Sequence, residues 1–141
     1  MTQKQKDLLL KDLCSRLPYR VKVQRLSYQT PLQLLSINPN GVTWVTGDKG
    51  YPFEVDWTDC KPYLFPLSSM TEEQYYELQD CSSADCLEHM KLIKTLRDCT
   101  DFTHWPLYEY RVIDWFHKNH FDYRGLIERG LAIDATGKNI Y

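Results

Sequence analysis

No stretch of this chain stays apolar for more than three residues, the length of Leu8-Leu9-Leu10, whereas a bilayer-spanning helix needs about twenty. That absence excludes a membrane-crossing helix. Lys, Gln and Asp alternate through the first 12 residues, so a secretory signal is not expected either, and the expected location is cytoplasmic. Charge of one sign is not in excess: 17 Lys and Arg stand against 19 Asp and Glu, a formal net of −2, which argues against general nucleic-acid binding on electrostatic grounds. Cysteines are few and odd in number, with five at Cys14, Cys60, Cys81, Cys86 and Cys99. Without a secretory signal they predict reduced thiols rather than a disulfide framework. The stronger catalytic patterns are also missing. There is no Gly-x-Ser-x-Gly elbow, no Gly-rich phosphate loop, no His-Glu-x-x-His and no nucleophile with an evident paired base, so an enzyme is not expected and no catalytic residue is assigned.

What is present is the composition of a folded protein. Of 141 residues, 43% are hydrophobic, 26% charged and 13% aromatic, far from the low-hydrophobicity corner in which chains stay disordered. A chain of this length fits a single domain over residues 1–141, able to bury roughly two-thirds of its unfolded surface. Charge is unevenly placed along it. Through residue 25 there are seven basic residues (Lys4, Lys6, Lys11, Arg16, Arg20, Lys22, Arg25) against Asp7 and Asp12, a net of +5, and the remainder carries −7. Such segregation reads as complementary solvated faces of one domain.

Periodicity predicts an α+β fold. Thr2 with Gln5 forms a capping box, and Leu9, Leu10, Leu13, Cys14 and Leu17 recur at helical spacing before Pro18 stops the helix. From Tyr19 the period becomes two, with Tyr19, Val21 and Val23 inward and Arg20, Lys22 and Gln24 outward. Leu32–Ile37, with a bulge expected at Leu34-Leu35, then Val42–Thr46 and Tyr51–Trp57 complete a four-stranded antiparallel meander joined by Asn/Gly turns. Pro52 predicts an edge position for the last strand. The stretch from Cys60 to Pro66 reads as an extended connector laid across the sheet, held by Pro62 and Pro66. Three to four C-terminal helices follow: one capped by Thr71 and Gln74, one over 84–96, one carrying the stripe Tyr108, Val112, Trp115, Phe116 and Asn119, and a short last one between Asp122 and Gly130.

Two constellations carry chemical potential. Cys81, Cys86, His89, Cys99 and His104 bring three thiols and two imidazoles within 24 residues, but the spacing contains no Cys-x-x-Cys pair and reads as packing, so no metal or other cofactor is expected. His117 and His120 beside Asp114 and Asp122 suggest an acid/base cluster, although capping and dipole interactions at a helix end explain them as well. Ten Tyr and four Trp exceed what a small core uses, and such rings are favoured at binding surfaces. With outward cations they define a ligand surface on the sheet, at Arg20, Lys22, Arg25, Trp44, Tyr51 and Trp57. There, rings stack on a flat group while Arg and Lys neutralise phosphate. The partner expected is a host protein or a small nucleotide-like ligand. A structural homo-oligomer and an enzyme using the 81–104 cluster are the rival readings.

The segments KPYLFPLSSMTEE at 61–73 and DWFHKNHFDYRGLIERGLA at 114–132 resemble a family of small uncharacterised proteins encoded by gut Bacteroidales bacteria and their phages or prophages. Together they cover about a quarter of the chain. The resemblance implies a bacterial phage or prophage accessory protein and carries no catalytic residues, since the family has no assigned activity. Counter-defence by sequestering a host signal is one form that such a role takes.

Overall fold

The computed structural model describes residues 1–40, 42–81 and 110–141. Helix α1 (Gln3–Arg16) opens on the expected capping box, in which Thr2 accepts from the Gln5 backbone N–H and the Gln5 side chain returns the bond. Leu9 and Leu13 are fully buried on one face of α1, each worth roughly 1.5–3 kcal/mol of transfer free energy. Pro18 then sets a 3-10 turn over Leu17–Tyr19, and Arg20 leaves it in the left-handed region at φ 56°.

The expected strand from Tyr19 therefore starts later. Strand β1 (Lys22–Arg25) is followed by β2 (Leu32–Ser36), β3 (Thr43–Thr46) and β4 (Pro52–Val55), paired antiparallel in sequence order. The bulge falls where the doubled leucine predicts it: the register shifts between Leu34 and Ser36, leaving Leu35 exposed. Pro52 lies on β4, which is an edge of the sheet.

The main correction to the expected topology concerns Cys60 to Pro66. This segment is a strand, β5 (Cys60–Leu64), which returns to pair antiparallel with β1. A sixth strand, β6 (Ile133–Asp134), adds in parallel, giving a six-stranded mixed sheet in the order β4-β3-β2-β1-β5-β6. Pro62 is tolerated because antiparallel N–H groups point alternately to either side. With Leu26 N–H donating to the Asp59 carbonyl, the Val23–Pro62 position is a non-hydrogen-bonded pair, and a proline there costs β1 no donor.

The face covered by α1 carries Val21, Val23, Leu32, Leu34, Val45, Val55 and Cys60, which form one core with Leu9 and Leu13. A second, aromatic core joins Leu67 and Met70 to α2 (Glu72–Asp80) and α3 (Tyr110–Lys118) through Leu78, Val112, Trp115, Phe116, Phe121 and Tyr123. Helix α2 has the Thr71 and Gln74 capping box foreseen for it. Of the expected stripe, Val112, Trp115 and Phe116 are buried in α3, Asn119 is half-buried just past its end, and Tyr108 lies outside the described residues. Between Asp122 and Gly130 the chain forms successive turns instead of the expected short helix. Asp122 nevertheless caps them, Oδ1 accepting from Leu126 N–H at 2.9 Å and Oδ2 from Ile127 N–H at 2.7 Å. The helix expected over 84–96 lies outside the described residues. Among those described, no helix is long and apolar enough to cross a membrane.

Candidate functional site

The bend that carries β4 into β5 forms one side of a shallow groove. Asp56 Oδ1 accepts from the Thr58 backbone N–H at 2.9 Å and from its hydroxyl at 2.8 Å, an Asx cap that starts the 3-10 turn Trp57–Asp59. The turn returns the chain to the end of β1, so that Val55, Asp56, Trp57 and Thr58 line one groove with Arg25, while Glu54, paired with Trp44, borders it from the other face of β4. Gln3 and Lys6 on the first turns of α1, with Pro39, Asn40 and Val42 around the β2–β3 connection, close a groove of about 640 Å³. This volume lies within the range of small-molecule sites.

Electrostatically the groove is divided. Lys6 and Arg25 are half-buried, and neither takes an ion-pair partner among the described residues, although Glu54 and Asp56 line the same groove. Asp56 is held below the ordinary carboxylate range, chiefly by the two bonds from Thr58 and further by the charge of Lys6. Trp57 and Val55, both buried, supply the apolar part of the wall.

The six residues expected to form one ligand surface are divided by the fold. Arg25 and Trp57 line the groove. Arg25 shares the helix-covered face of Val23, because the register sets it opposite Cys60, and this corrects the outward orientation assumed for it. Trp57 is 8% exposed and packs in the core, so as a freely stacking ring it leaves the set. Lys22 and Trp44 lie on the opposite face, paired with Gln33 and Glu54 respectively. Tyr51 is exposed in the β3–β4 turn, and Arg20 is exposed ahead of β1. Of the cysteine and histidine cluster, Cys81 packs half-buried against the aromatic core, and Cys86, His89, Cys99 and His104 lie outside the described residues.

The residues suggested for acid/base work are engaged structurally. His117 Nε2 and the Tyr123 hydroxyl share a hydrogen bond of 2.7 Å, Asp114 accepts from the Tyr19 hydroxyl, and Asp122 is the turn cap. Burial, followed by the charges of Arg16 and Arg124, lowers His117 to about 4. Burial and Arg16 do the same to His120, whose Nδ1 is buried without a hydrogen-bond partner among the described residues. None of the four lines the groove.

Sequence reasoning missed the most deeply placed charges. Asp12 and Arg16 are both fully buried, joined at 2.8 Å, and Arg124 reaches the other Asp12 oxygen at 3.2 Å. Arg16 also donates to the carbonyls of Phe116 at 3.2 Å and Phe121 at 2.7 Å, tying α1 to the end of α3 across about a hundred residues. The spacing of Leu9, Asp12, Leu13 and Arg16 sets them on one helical stripe, which was the available signal. In the groove, Lys6, Glu54 and Asp56 were also missed, and only Asp56, two residues before Thr58, carries a local signature.

No family model, curated protein or solved structure matches the chain.

Proposed function

We propose that the protein acts by binding, without catalysing a reaction, and that its ligand is a small, anionic, nucleotide-like molecule held in the groove between α1 and the β4–β5 bend. The observation that carries this is the pair of half-buried cations, Lys6 and Arg25, left without an ion-pair partner among the described residues. Two half-buried cations without a close counter-ion attract an anion to the groove, and donors on the ligand's body meet the Asp56 carboxylate. The net charge of −2 favours a small ligand over a nucleic-acid chain. The resemblance of the 61–73 and 114–132 segments supports a setting in the cytoplasm of gut Bacteroidales, as a phage or prophage accessory protein, where retention of a host signal is a sufficient role.

Native mass spectrometry of protein purified from its own host tests this directly. The expected result is a retained anionic small molecule, lost in Arg25→Met. A mass equal to the bare chain, together with no calorimetric heat on addition of nucleoside monophosphates, overturns it.

A self-assembling role draws on one different observation: Leu26, Tyr28 and Tyr51 are 72%, 51% and 78% exposed on the two connections at one end of the sheet. Light scattering across a concentration series decides it, since a constant monomer mass removes it.

A further inference from the structure

Resting on the groove as the ligand site, the geometry assigns a second role within it. We infer that Asp56 is the selectivity-determining acceptor, its carboxylate taking hydroxyl donors from the sugar of a phosphorylated ribose ligand whose phosphate lies on Arg25 and Lys6. Two observations and one electrostatic argument converge on this.

First, Asp56 is anchored. Oδ1 holds both the backbone and the hydroxyl of Thr58, while Oδ2 takes no hydrogen bond from a described residue. A short side chain fixed through one oxygen presents the other in a set direction, which is the preorganisation that recognition of a hydroxyl pair rewards. Glu54 is longer, carries no such anchor and lies opposite Trp44 on the exposed edge strand, so it is the weaker reader.

Second, the two signs of charge in the groove form no close ion pair among the described residues, although the charge of Lys6 acts on Asp56 from a distance. Arg25 and Lys6 lack ion-pair partners among the described residues although Asp56 shares their groove. A ligand that meets both needs an anion at one end and donors at the other.

Third, the carboxylate discriminates against a bare anion. Free phosphate brings its charge beside Asp56 and offers little in return, and like-charge juxtaposition of this kind is how a site rejects the wrong ligand. A sugar phosphate offsets the repulsion with hydroxyl donors, and bonds from neutral donors to a charged acceptor are among the stronger ones.

Calorimetric titration of the full chain with AMP, 2′,3′-dideoxy-AMP, adenosine and inorganic phosphate tests the assignment. Wild-type protein is expected to bind AMP about ten- to a hundredfold more tightly than the dideoxy analogue, the worth of hydrogen bonds to a charged group. Asp56→Asn keeps an oxygen for Thr58 and so preserves the turn, which an unchanged thermal melt verifies, and it is expected to bring the two ligands within about threefold. Arg25→Met weakens both together and leaves their ratio intact. Equal wild-type affinity for AMP and its dideoxy analogue, with binding still sensitive to Arg25→Met, overturns the role of Asp56 and leaves the groove standing. Absence of any nucleotide binding overturns both.

Discussion

The Tyr141 hydroxyl donates to the Tyr63 carbonyl at 2.8 Å while accepting the backbone N–H of Lys22 at 3.2 Å. The register of β1 with β5, continued by one position beyond Val23 and Pro62, would pair Lys22 with Tyr63 directly. The hydroxyl thus occupies a rung of the ladder, and the strands part there by the width of one oxygen. Its ring is stacked on His120 at 3.8 Å between centroids, and burial pushes the hydroxyl well above its ordinary range.

Tyr141→Phe removes that oxygen and leaves the Lys22 N–H and one bond of the Tyr63 carbonyl unmet. The expected loss is about 0.5–1.5 kcal/mol in urea unfolding, the net worth of an ordinary hydrogen bond, because Tyr141 is partly exposed and water reaches the vacated position. Faster exchange of the Lys22 amide, with the rest of the sheet unchanged, distinguishes a local opening from a general loosening.

The Asp12, Arg16 and Arg124 cluster is asymmetric, because one carboxylate serves two guanidinium groups. Asp12→Leu leaves two buried cations facing each other and is expected to cost about 3–5 kcal/mol or to prevent folding. Arg16→Met leaves Asp12 still paired with Arg124 and is expected to cost less. Chemical denaturation of the two variants checks the order, and a larger loss for Arg16→Met overturns this account of the cluster.

Acid sensitivity follows from His117 and His120, both lowered to about 4 from an ordinary 6.5. Between those values the unfolded chain takes up protons that the folded chain refuses, so stability falls as pH drops from about 6.5 to about 4, by up to about 3 kcal/mol for each histidine. Asp122, pushed upward by burial, binds its proton more readily when folded and partly offsets the loss at the acid end. Thermal melts between pH 7 and 4 should show the decline, and His120→Phe, which keeps an aromatic ring against Tyr141, should flatten it.

Thiol chemistry provides an independent check of the core. Burial raises Cys60 to about 11, and its side chain is fully enclosed, whereas Cys14 is exposed on α1. Alkylation followed by peptide mapping should label Cys14 well before Cys60 in the native protein and both together in denaturant. Early labelling at Cys60 would contradict the placement of β5 against β1.

Much of the fold was legible from local rules. Both capping boxes, the Leu34-Leu35 bulge, the edge position of Pro52 and the buried stripe of α3 follow from side-chain periodicity and backbone chemistry that act within a few residues. What escaped is non-local. Two prolines mark Cys60–Pro66 as extended, but its pairing with β1 depends on a chain returning from nearly forty residues away, and no short pattern reports that. The site divided for a related reason: Arg25 continues the outward cations in composition, yet its position in the register puts it on the inward face, where the turn begun by Asp56 meets it. Arg16 was assigned to a solvated basic face because a charged residue is rarely enclosed, and its partners at Phe116, Phe121 and Asp12 become visible only once the helices pack.

The edges of the sheet bear on how copies of the chain meet. At one margin Pro52 lacks the N–H that an incoming strand would need and Glu54 adds a charge beside it; at the other, β6 is only two residues long. Neither margin offers a template for continuous cross-chain zippering. Among the described residues, then, neither sheet margin favours strand-to-strand pairing, and contacts made through these edges are expected to rest on side chains, reversible in salt or mild detergent.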